Sequence, residues 1–154
     1  FVKEIPVVES DRGGKVTYHG PGQLIGYVVC DLRPNTRAVR EHVFKLEETV
    51  IRALDSCGVQ AEREAGTPGV WVEGAKIGAL GVRIRQGVAY HGFAVNRNPD
   101  LEAFSGIVPC GLSGRPVTSL ARLGIDCTRR ELEQKIVSAF QDVFQVTWIR
   151  EQQT

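Results

Sequence analysis

The chain has 154 residues, of which 42% are hydrophobic and 24% are charged, and its formal net charge is +1. This length and composition are typical of one globular domain with its own hydrophobic core. A net charge so close to zero excludes a general attraction to nucleic acid or to an anionic membrane, so an acidic partner would need a local basic patch.

The cysteines and histidines argue against a metal site or a disulfide framework. Cys30, Cys57, Cys110 and Cys127 form no CxxC pair, and the three histidines have unrelated spacings. We therefore expect reduced thiols and a cytoplasmic location. No apolar run reaches the length of a membrane span, and no signal peptide is recognisable. Because the chain begins at Phe1 and contains no methionine, we expect an amino-terminal portion to be absent.

The amino-terminal half predicts short strands followed by one helix. The strands are predicted at residues 2–8, 15–18 and 24–32. The last of these is apolar enough to be buried on both faces. After Pro34, apolar residues recur at steps of three and four as far as Leu54, which predicts a helix that covers a sheet and ends near Gly58.

The middle of the chain predicts a hairpin. After a loop over residues 60–68, strands are predicted at residues 69–72, 76–85 and 88–96, with the dipeptide Gln86-Gly87 as the turn. If no bulge intervenes, Lys76 shares the apolar face of its strand with Leu80 and Val82. An ammonium group on an apolar face is costly unless it has a function.

The carboxyl-terminal part predicts two short turns and a second helix. The turns are predicted at residues 101–104 and 118–123. Thr128 and Glu131 have the spacing of a capping box, and the apolar residues that follow indicate an amphipathic helix. A last strand is predicted over residues 146–149.

Cys110 and Lys76 are the candidate catalytic pair. Cys110 lies between Pro109 and Gly111, which favours a turn that presents the thiol to a cleft, although a lone cysteine is more often a small buried hydrophobe. An ammonium group close to the thiol would favour the thiolate and lower the pKa of Cys110. Such a pair suits two-step acyl transfer, with the lysine alternating between acid and base.

Two glycine-rich segments predict close approach of the backbone to a ligand. Gly13 and Gly14 follow Arg12, which favours a functional role for this arginine over a surface ion pair. His19 either orients a substrate or simply bonds to the backbone of its loop, and the two interpretations are equally weighted. The small residues around Ala79 and Gly92 would leave room for an apolar chain, or for tight packing between strands.

Four segments in this order and spacing resemble one enzyme family. They are RGGKVTYHGPGQ at residues 12–23, GVWVEGAKIGALGVRIRQG at 69–87, HGFAVN at 91–96 and DLEAFSGIVPCGL at 100–112. Together they resemble lipoyl(octanoyl) transferase, also called lipoate-protein ligase B. The resemblance implies an α/β fold of the biotin and lipoate protein ligase type, a mixed sheet flanked by helices. It also implies that residues 1–154 form a single catalytic domain, which we expect to lack its amino-terminal portion.

The resemblance implies an activity and a set of site residues. The family transfers an octanoyl group from octanoyl-acyl carrier protein to a lysine of the lipoyl domains of 2-oxoacid dehydrogenases and of the glycine-cleavage H protein. Neither a metal nor ATP is implied, because the incoming thioester is already activated. Cys110 would carry the acyl group and Lys76 would lower its pKa. The implied substrate-binding residues are Arg12, Gly13, Gly14, Lys15, Val16, Thr17, Tyr18, His19, Ala79, Leu80, Gly81, Gly92, Phe93 and Ala94.

Two alternative functions remain open. An ATP-dependent lipoate or biotin ligase of the same fold needs the lysine but no nucleophilic cysteine, and a non-catalytic acyl-binding module needs neither. The turn around Cys110 favours the transferase.

The implied partners are acidic carrier domains, which would bind to a basic patch on the protein surface. The chain is expected to be a monomer. The hypothetical patch consists of Arg83, Arg85, Arg115, Arg122 and Arg129.

Overall fold

A sheet of six strands organises the fold in a computed structural model, which describes residues 4–33, 38–107, 115–147 and 149. The strands are β1 (Gln23–Tyr27), β2 (Cys30–Asp31), β3 (Glu62–Glu64), β4 (Thr67–Val72), β5 (Ala75–Arg85) and β6 (Val88–Asn96). Their spatial order is β1-β6-β5-β4-β3, with β2 also paired with β6, and all these pairings are antiparallel. A parallel bridge between Lys76 and Val117 makes the sheet mixed, as predicted.

The hairpin of β5 and β6 confirms the prediction made from its turn residues. Gln86 and Gly87 have φ values of +51° and +80°, the left-handed pair that a tight two-residue hairpin turn requires. The two strands pair without interruption from Arg85 with Val88 to Gly78 with Val95.

The strand predicted over residues 24–32 is divided into β1 and β2, which keep one register against β6. Tyr27 pairs with Gly92, and Cys30 pairs with Ala89. The interruption lies opposite His91, whose φ of +66° takes the backbone out of the extended conformation. The prediction that both faces are buried is wrong, because Tyr27 and Val29 are 77% and 75% exposed.

Two helices pack against each other and against the sheet. In α1 (Ala38–Asp55) the predicted stripe is fully inaccessible at Leu46, Val50 and Leu54, whereas Val39 at its start is 46% exposed. Gly58 follows the helix in the left-handed conformation. α2 (Arg129–Phe144) begins with the predicted capping box, in which the side chain of Thr128 accepts from the backbone N–H of Glu131 and the Glu131 side chain accepts from the backbone of Thr128. Each helix therefore starts or ends where the sequence chemistry predicts.

Three predicted strands are absent from the described residues. Residues 4–8 contribute only a bridge at Ile5, and Val7 and Val8 are 64% and 81% exposed, so their apolar character does not reflect burial. Residues 15–18 follow a bend, and residues 146, 147 and 149 belong to no strand. Conversely, β3 lies inside the predicted loop 60–68. The turn predicted at residues 101–104 is a 3₁₀ helix, Leu101–Gly106, and residues 120–124 form the other turn.

No helix within the described ranges has both the length and the hydrophobicity needed to span a bilayer.

Candidate active site

Lys76 lies near the start of β5, where the pairing of β4 with β5 shifts by one residue. Val70 pairs with Gly78, whereas Trp71 pairs with Lys76, so Ile77 is the extra residue of a β-bulge. The prediction that Lys76 lies on the apolar face of its strand assumed that no bulge intervenes, and that assumption is wrong. The bulge instead allows Ile77 to be fully buried in the core.

The side chain of Lys76 is itself buried, with 6% of its surface exposed. Its ammonium group donates a hydrogen bond to the carbonyl oxygen of Pro68 at 3.1 Å and lies 4.8 Å from the centre of the Trp71 ring. The aliphatic stem passes over Gly69, where a side chain would occupy the same space. A carbonyl acceptor and an aromatic face are both surroundings that favour a buried cation.

A small cleft beside Lys76 gathers residues from separate parts of the chain. Thr17 and Ala79, two of the predicted substrate-binding residues, contribute to its wall. Phe104, from the 3₁₀ helix, closes another side. The cleft is lined by Thr17, Gln23, Lys76, Ala79, Asn96, Phe104 and Val117.

The backbone of Lys76 is hydrogen-bonded to the segment that follows Cys110 in the chain. The N–H of Lys76 donates to Pro116 O at 2.9 Å, and the N–H of Thr118 donates to Lys76 O at 2.9 Å. Cys110 itself, the predicted nucleophile, is one of residues 108–114, which lie outside the described residues. The segment from Pro116 to Thr118, which begins six residues after this cysteine, therefore lies against the backbone of Lys76.

The Arg12–Lys15 segment continues the sheet along the part of β5 that β4 leaves unpaired. The N–H of Gly13 donates to Val82 O at 2.9 Å, and the Arg12 guanidinium donates back to Lys15 O at 2.8 Å and to Gly13 O at 3.2 Å. Gly81 faces this segment so closely that a Cβ atom there would lie 2.9 Å from Gly13 O. Glycine at both positions therefore permits the two backbones to touch.

A larger cavity of about 310 Å³ opens beside this contact. Its wall combines the Arg12–Lys15 segment, which we call the glycine segment, with one residue of α1, the turn between β3 and β4, and the middle of β5. The cavity is lined by Gly13, Gly14, Lys15, Val43, Gly66, Thr67, Pro68, Leu80, Gly81 and Val82. Pro68 is shared with the surroundings of Lys76, because its carbonyl oxygen accepts from the ammonium group.

Asp11 fastens the start of the glycine segment to β6. One carboxylate oxygen accepts from the Tyr90 hydroxyl at 2.5 Å, and the other lies 2.8 Å from Nε2 of His91. The hydrogen bond from Tyr90 and, to a smaller extent, that with His91 hold the pKa of Asp11 below its ordinary value. The same bond raises the pKa of Tyr90. Both effects favour the ionised carboxylate in this contact.

Comparison with known protein families decides the membership of the chain. Residues 2–141 match the family described as the lipoyl protein ligase A/B catalytic domain. The chain belongs to this family. The prediction from the four motifs is thereby confirmed.

Curated relatives within the lipoyl protein ligase A/B family carry one name. An octanoyltransferase of Magnetococcus marinus is 54% identical over 142 residues, which cover 92% of this chain and 67% of the relative. An octanoyltransferase of Thiobacillus denitrificans is 49% identical over 138 residues, which cover 90% of this chain and 63% of the relative. The chain thus spans about two thirds of the length of these relatives.

Solved structures confirm the predicted fold of the family. A lipoate protein ligase of Thermoplasma acidophilum superposes with a TM-score of 0.76 at 19% identity and covers 94% of this chain and 60% of its own. Biotin protein ligase of Aquifex aeolicus superposes with a TM-score of 0.63 at 15% identity and covers 80% and 53%. At these identities the likeness concerns the fold alone.

Some residues implied by the family resemblance lie at neither cavity. Val16 is half exposed, Tyr18 packs edge-on against Phe104 at 5.3 Å between ring centres, and Nδ1 of His19 lies 3.2 Å from Oε1 of Gln23. In β6, Gly92 abuts the backbone of Gly26 in β1, and the buried Phe93 ring covers the same Gly26. Substrate contact by these residues, and by neighbouring Ala94, stays a prediction.

Sequence reasoning missed a buried polar chain behind Lys76. Gln23 Nε2 donates to Asn96 Oδ1 at 2.8 Å, and Asn96 Nδ2 donates to Thr118 O at 3.1 Å. Asn96 is only 5% exposed. Its place at the end of an otherwise apolar buried strand was the available signal, because a buried amide needs partners.

Glu47 is the second residue that was missed. It lies on the apolar stripe of α1 at helical spacing from Val43, Val50 and Leu54, and it is 8% exposed. Oε1 of Glu47 accepts from the N–H of Gly69 at 3.1 Å. A carboxylate on a buried stripe was therefore a signal of the same kind as the predicted buried lysine.

In the part of the chain that the structure describes, no group of three or more His, Cys, Asp or Glu side chains could hold a metal ion.

Proposed function

We propose that this chain is an octanoyltransferase, which moves an octanoyl group from octanoyl-acyl carrier protein to a lysine of lipoyl domains. The observation that carries the proposal is the buried Lys76, whose backbone is bonded to Pro116 and Thr118, within eight residues of Cys110. Relatives at 49% and 54% identity bear the name of this activity.

The first step requires a thiolate, and Cys110 is the proposed nucleophile. Cys110 is six residues after Phe104, which lines the same cleft as Lys76, and six residues before Pro116, whose carbonyl oxygen accepts from the Lys76 N–H. This closeness in the chain to two described neighbours of Lys76 supports the proposed pairing of the thiol with the ammonium group. The ammonium group favours the thiolate, which attacks the carbonyl carbon of the carrier thioester. The new thioester forms on Cys110, and the carrier leaves as its thiolate.

The second step forms the amide bond. The amine of the lipoyl-domain lysine attacks the acyl carbon on Cys110, the bond to the cysteine sulfur breaks, and the amine must lose a proton. Acylation of Cys110 removes the counter-charge of Lys76, which then gives a proton to the departing carrier thiolate and becomes neutral. The neutral lysine accepts the proton that the attacking amine loses, and it regains its counter-charge when the Cys110 thiolate leaves. Pro68 O accepts one of the three N–H groups of the ammonium form and fixes the direction of the others.

The larger cavity is the proposed site for the octanoyl chain. Val43, Leu80 and Val82 supply apolar surface, and Pro68 connects the cavity to the surroundings of Lys76. A volume of about 310 Å³ lies at the lower end of the range for small-ligand pockets. Each methylene group buried there would contribute about 0.8 kcal/mol, which is how an apolar pocket can select for chain length.

The proposed protein partners are acidic carrier-type domains: octanoyl-acyl carrier protein as donor, and the lipoyl domains of 2-oxoacid dehydrogenases and the glycine-cleavage H protein as acceptors. Four members of the hypothetical basic patch are exposed: Arg83, Arg85, Arg122 and Arg129. Arg83 and Arg85 lie together at the end of the β5–β6 hairpin, whereas Arg129 pairs with Glu133 at 2.7 Å. Arg115 instead pairs with Glu64 at 2.6 Å and covers the ring of Trp71. The hairpin end is therefore the better candidate for docking.

We also propose that the reaction takes place in the cytoplasm. The described cysteines, Cys30, Cys57 and Cys127, are free thiols, which fits a reducing compartment.

A two-arm transfer assay tests the proposed function. One arm supplies octanoyl-acyl carrier protein without ATP, and the other supplies free octanoate with ATP and Mg²⁺. The mass of a lipoyl domain is measured in both, with a lipoyl domain that lacks its acceptor lysine as the control. The proposal expects octanoylation in the first arm only. Octanoylation in the second arm only would assign the chain to the ATP-dependent ligases, and octanoyl binding without modification in either arm would indicate an acyl-binding module.

A further inference from the structure

The carbonyl group that binds Lys76 and the amide group that binds Glu47 belong to one peptide unit. Lys76 Nζ donates to the carbonyl oxygen of Pro68, and the next amide, that of Gly69, donates to Oε1 of Glu47, both at 3.1 Å. The C=O of residue 68 and the N–H of residue 69 are the two ends of the same planar group. An ammonium and a carboxylate are therefore connected through one rigid peptide.

Both charged ends of this connection are buried, while Pro68 itself reaches the protein surface. Lys76 and Glu47 are 6% and 8% exposed, and Gly69 between them is buried. Away from water, a hydrogen bond at the N–H end of a peptide polarises it and strengthens the bond that its carbonyl oxygen accepts. The carboxylate also holds the peptide plane in the one orientation that directs its oxygen at Lys76.

Pairing with Arg63 alone does not account for the burial of Glu47. Oε2 of Glu47 lies 3.2 Å from Nε of Arg63, but without the geometry of a hydrogen bond. The same guanidinium donates to Glu48 at 2.5 Å and covers the ring of Phe44 at 3.8 Å. Arg63 thus has a carboxylate partner at the protein surface, whereas the Gly69 amide is bound by Glu47.

We propose that Glu47 is a positioning residue for Lys76, because it fixes the Pro68–Gly69 peptide whose carbonyl oxygen holds the ammonium group. Its effect on catalysis rests on the proposed function, in which Lys76 moves the protons of octanoyl transfer. The link between Glu47 and Lys76 is a property of the structure and can be measured without any turnover.

The catalytic test compares Glu47→Gln with Glu47→Leu. Both variants remove the negative charge that faces Arg63 and have similar size, but only glutamine keeps an oxygen that can accept from Gly69. We expect the leucine variant to lose on the order of 10-fold in kcat for octanoyl transfer, with KM for the octanoyl donor unchanged, and the glutamine variant to stay close to the unaltered rate. Glu48→Gln is the matched control, because it breaks the neighbouring ion pair with Arg63 without touching the peptide.

Two measurements by NMR test the link itself. In the unaltered protein the Gly69 amide should exchange its hydrogen slowly, as expected for a bonded amide. In Glu47→Leu, but not in Glu48→Gln, the Gly69 amide and the Lys76 side-chain Cε–Hε signals should shift. Fast exchange of Gly69, unchanged Lys76 signals in the leucine variant, or an equal loss of kcat in the glutamine and leucine variants would overturn the proposal. Shifted Lys76 signals in a chain that transfers no octanoyl group would support the link and reject the proposed function instead.

Discussion

The side chain of Lys76 fills the space in which a side chain on residue 69 would lie. A Cβ atom on residue 69 would lie 2.7 Å from Lys76 Cε and 3.1 Å from its Nζ. Gly69 also has a φ of +142°, in the region that favours glycine. The buried position of the Lys76 side chain therefore depends on the absence of a side chain at residue 69, seven positions earlier in the chain.

Gly69→Ala should displace Lys76 and reduce octanoyl transfer. A displacement of about 1 Å at a catalytic group can cost on the order of 100-fold in rate, so we expect a loss of at least about 10-fold in kcat. Gly74→Ala is the matched control, because Gly74 has a φ of +78° but no atom within 4 Å of the added group. Transfer kinetics and urea unfolding are measured for both. Equal rates in the two variants would mean that Lys76 does not depend on the space at Gly69.

Gly81→Ala should separate β5 from the glycine segment. The added methyl group would lie 2.9 Å from Gly13 O, a backbone atom that can yield only if the segment moves. Because both residues line the larger cavity, we expect weaker binding of octanoate, measured by calorimetry. Gly124→Ala is the control, since its methyl group meets no atom within 4 Å. Unchanged octanoate binding in Gly81→Ala would place the acyl site elsewhere.

Asn96→Leu should destabilise the fold behind Lys76. The substitution leaves Gln23 Nε2 and Thr118 O without the partner that Asn96 supplies. An unsatisfied buried polar group costs about 1–3 kcal/mol, and we expect a decrease of this size in the free energy of unfolding, measured in urea. Asn98→Leu, at an exposed position, should change it by less than the buried substitution. Comparable effects at both positions would show that the buried amide chain adds no stability.

Asp11→Asn should remove a pH-dependent part of the stability. The pKa of Asp11 is lowered from 3.8, mainly by the hydrogen bond from Tyr90 and then by that with His91. A lowered pKa in the folded state means that the contact stabilises the fold above pH 3.8 and that this contribution is lost as the pH falls through the lowered value. The other carboxylates are the same in both proteins and cancel in the comparison.

We therefore expect the difference in urea midpoint between the unaltered protein and Asp11→Asn to be present from neutral pH down to 3.8. It should shrink once the pH falls below 3.8. A difference that stays constant below pH 3.8, or that grows there, would show that the ionised carboxylate is not what fastens the glycine segment.

Local chemistry predicted the elements that depend on near neighbours. Three features are each determined by residues within a few positions and are confirmed: the capping box of Thr128 and Glu131, the Gln86-Gly87 turn, and the α1 stripe from Leu46 to Leu54. The failed strand at residues 4–8 has the same apolar composition as a true strand. Composition cannot show whether a sheet edge lies beside it.

Long-range contacts limited the prediction of the site. The buried lysine could be singled out as an unusual residue on a strand, but the bulge at Ile77 that directs Lys76 depends on how β4 pairs with β5. Glu47 is similar, since its partner is a backbone amide 22 residues away. Periodicity places such residues in the interior, whereas only the assembled sheet determines what they contact there.

Acyl transfer through Cys110 is tested by the intact mass of the protein after mixing with octanoyl-acyl carrier protein in the absence of ATP. We expect one octanoyl group on the unaltered protein, located on Cys110 by peptide mapping, and its loss when a lipoyl domain is added. Cys110→Ala should acquire no octanoyl group, and Lys76→Ala should acquire it more slowly. An octanoyl group on another residue, or transfer to the lipoyl domain by folded Cys110→Ala at the unaltered rate, would show that Cys110 is not the nucleophile.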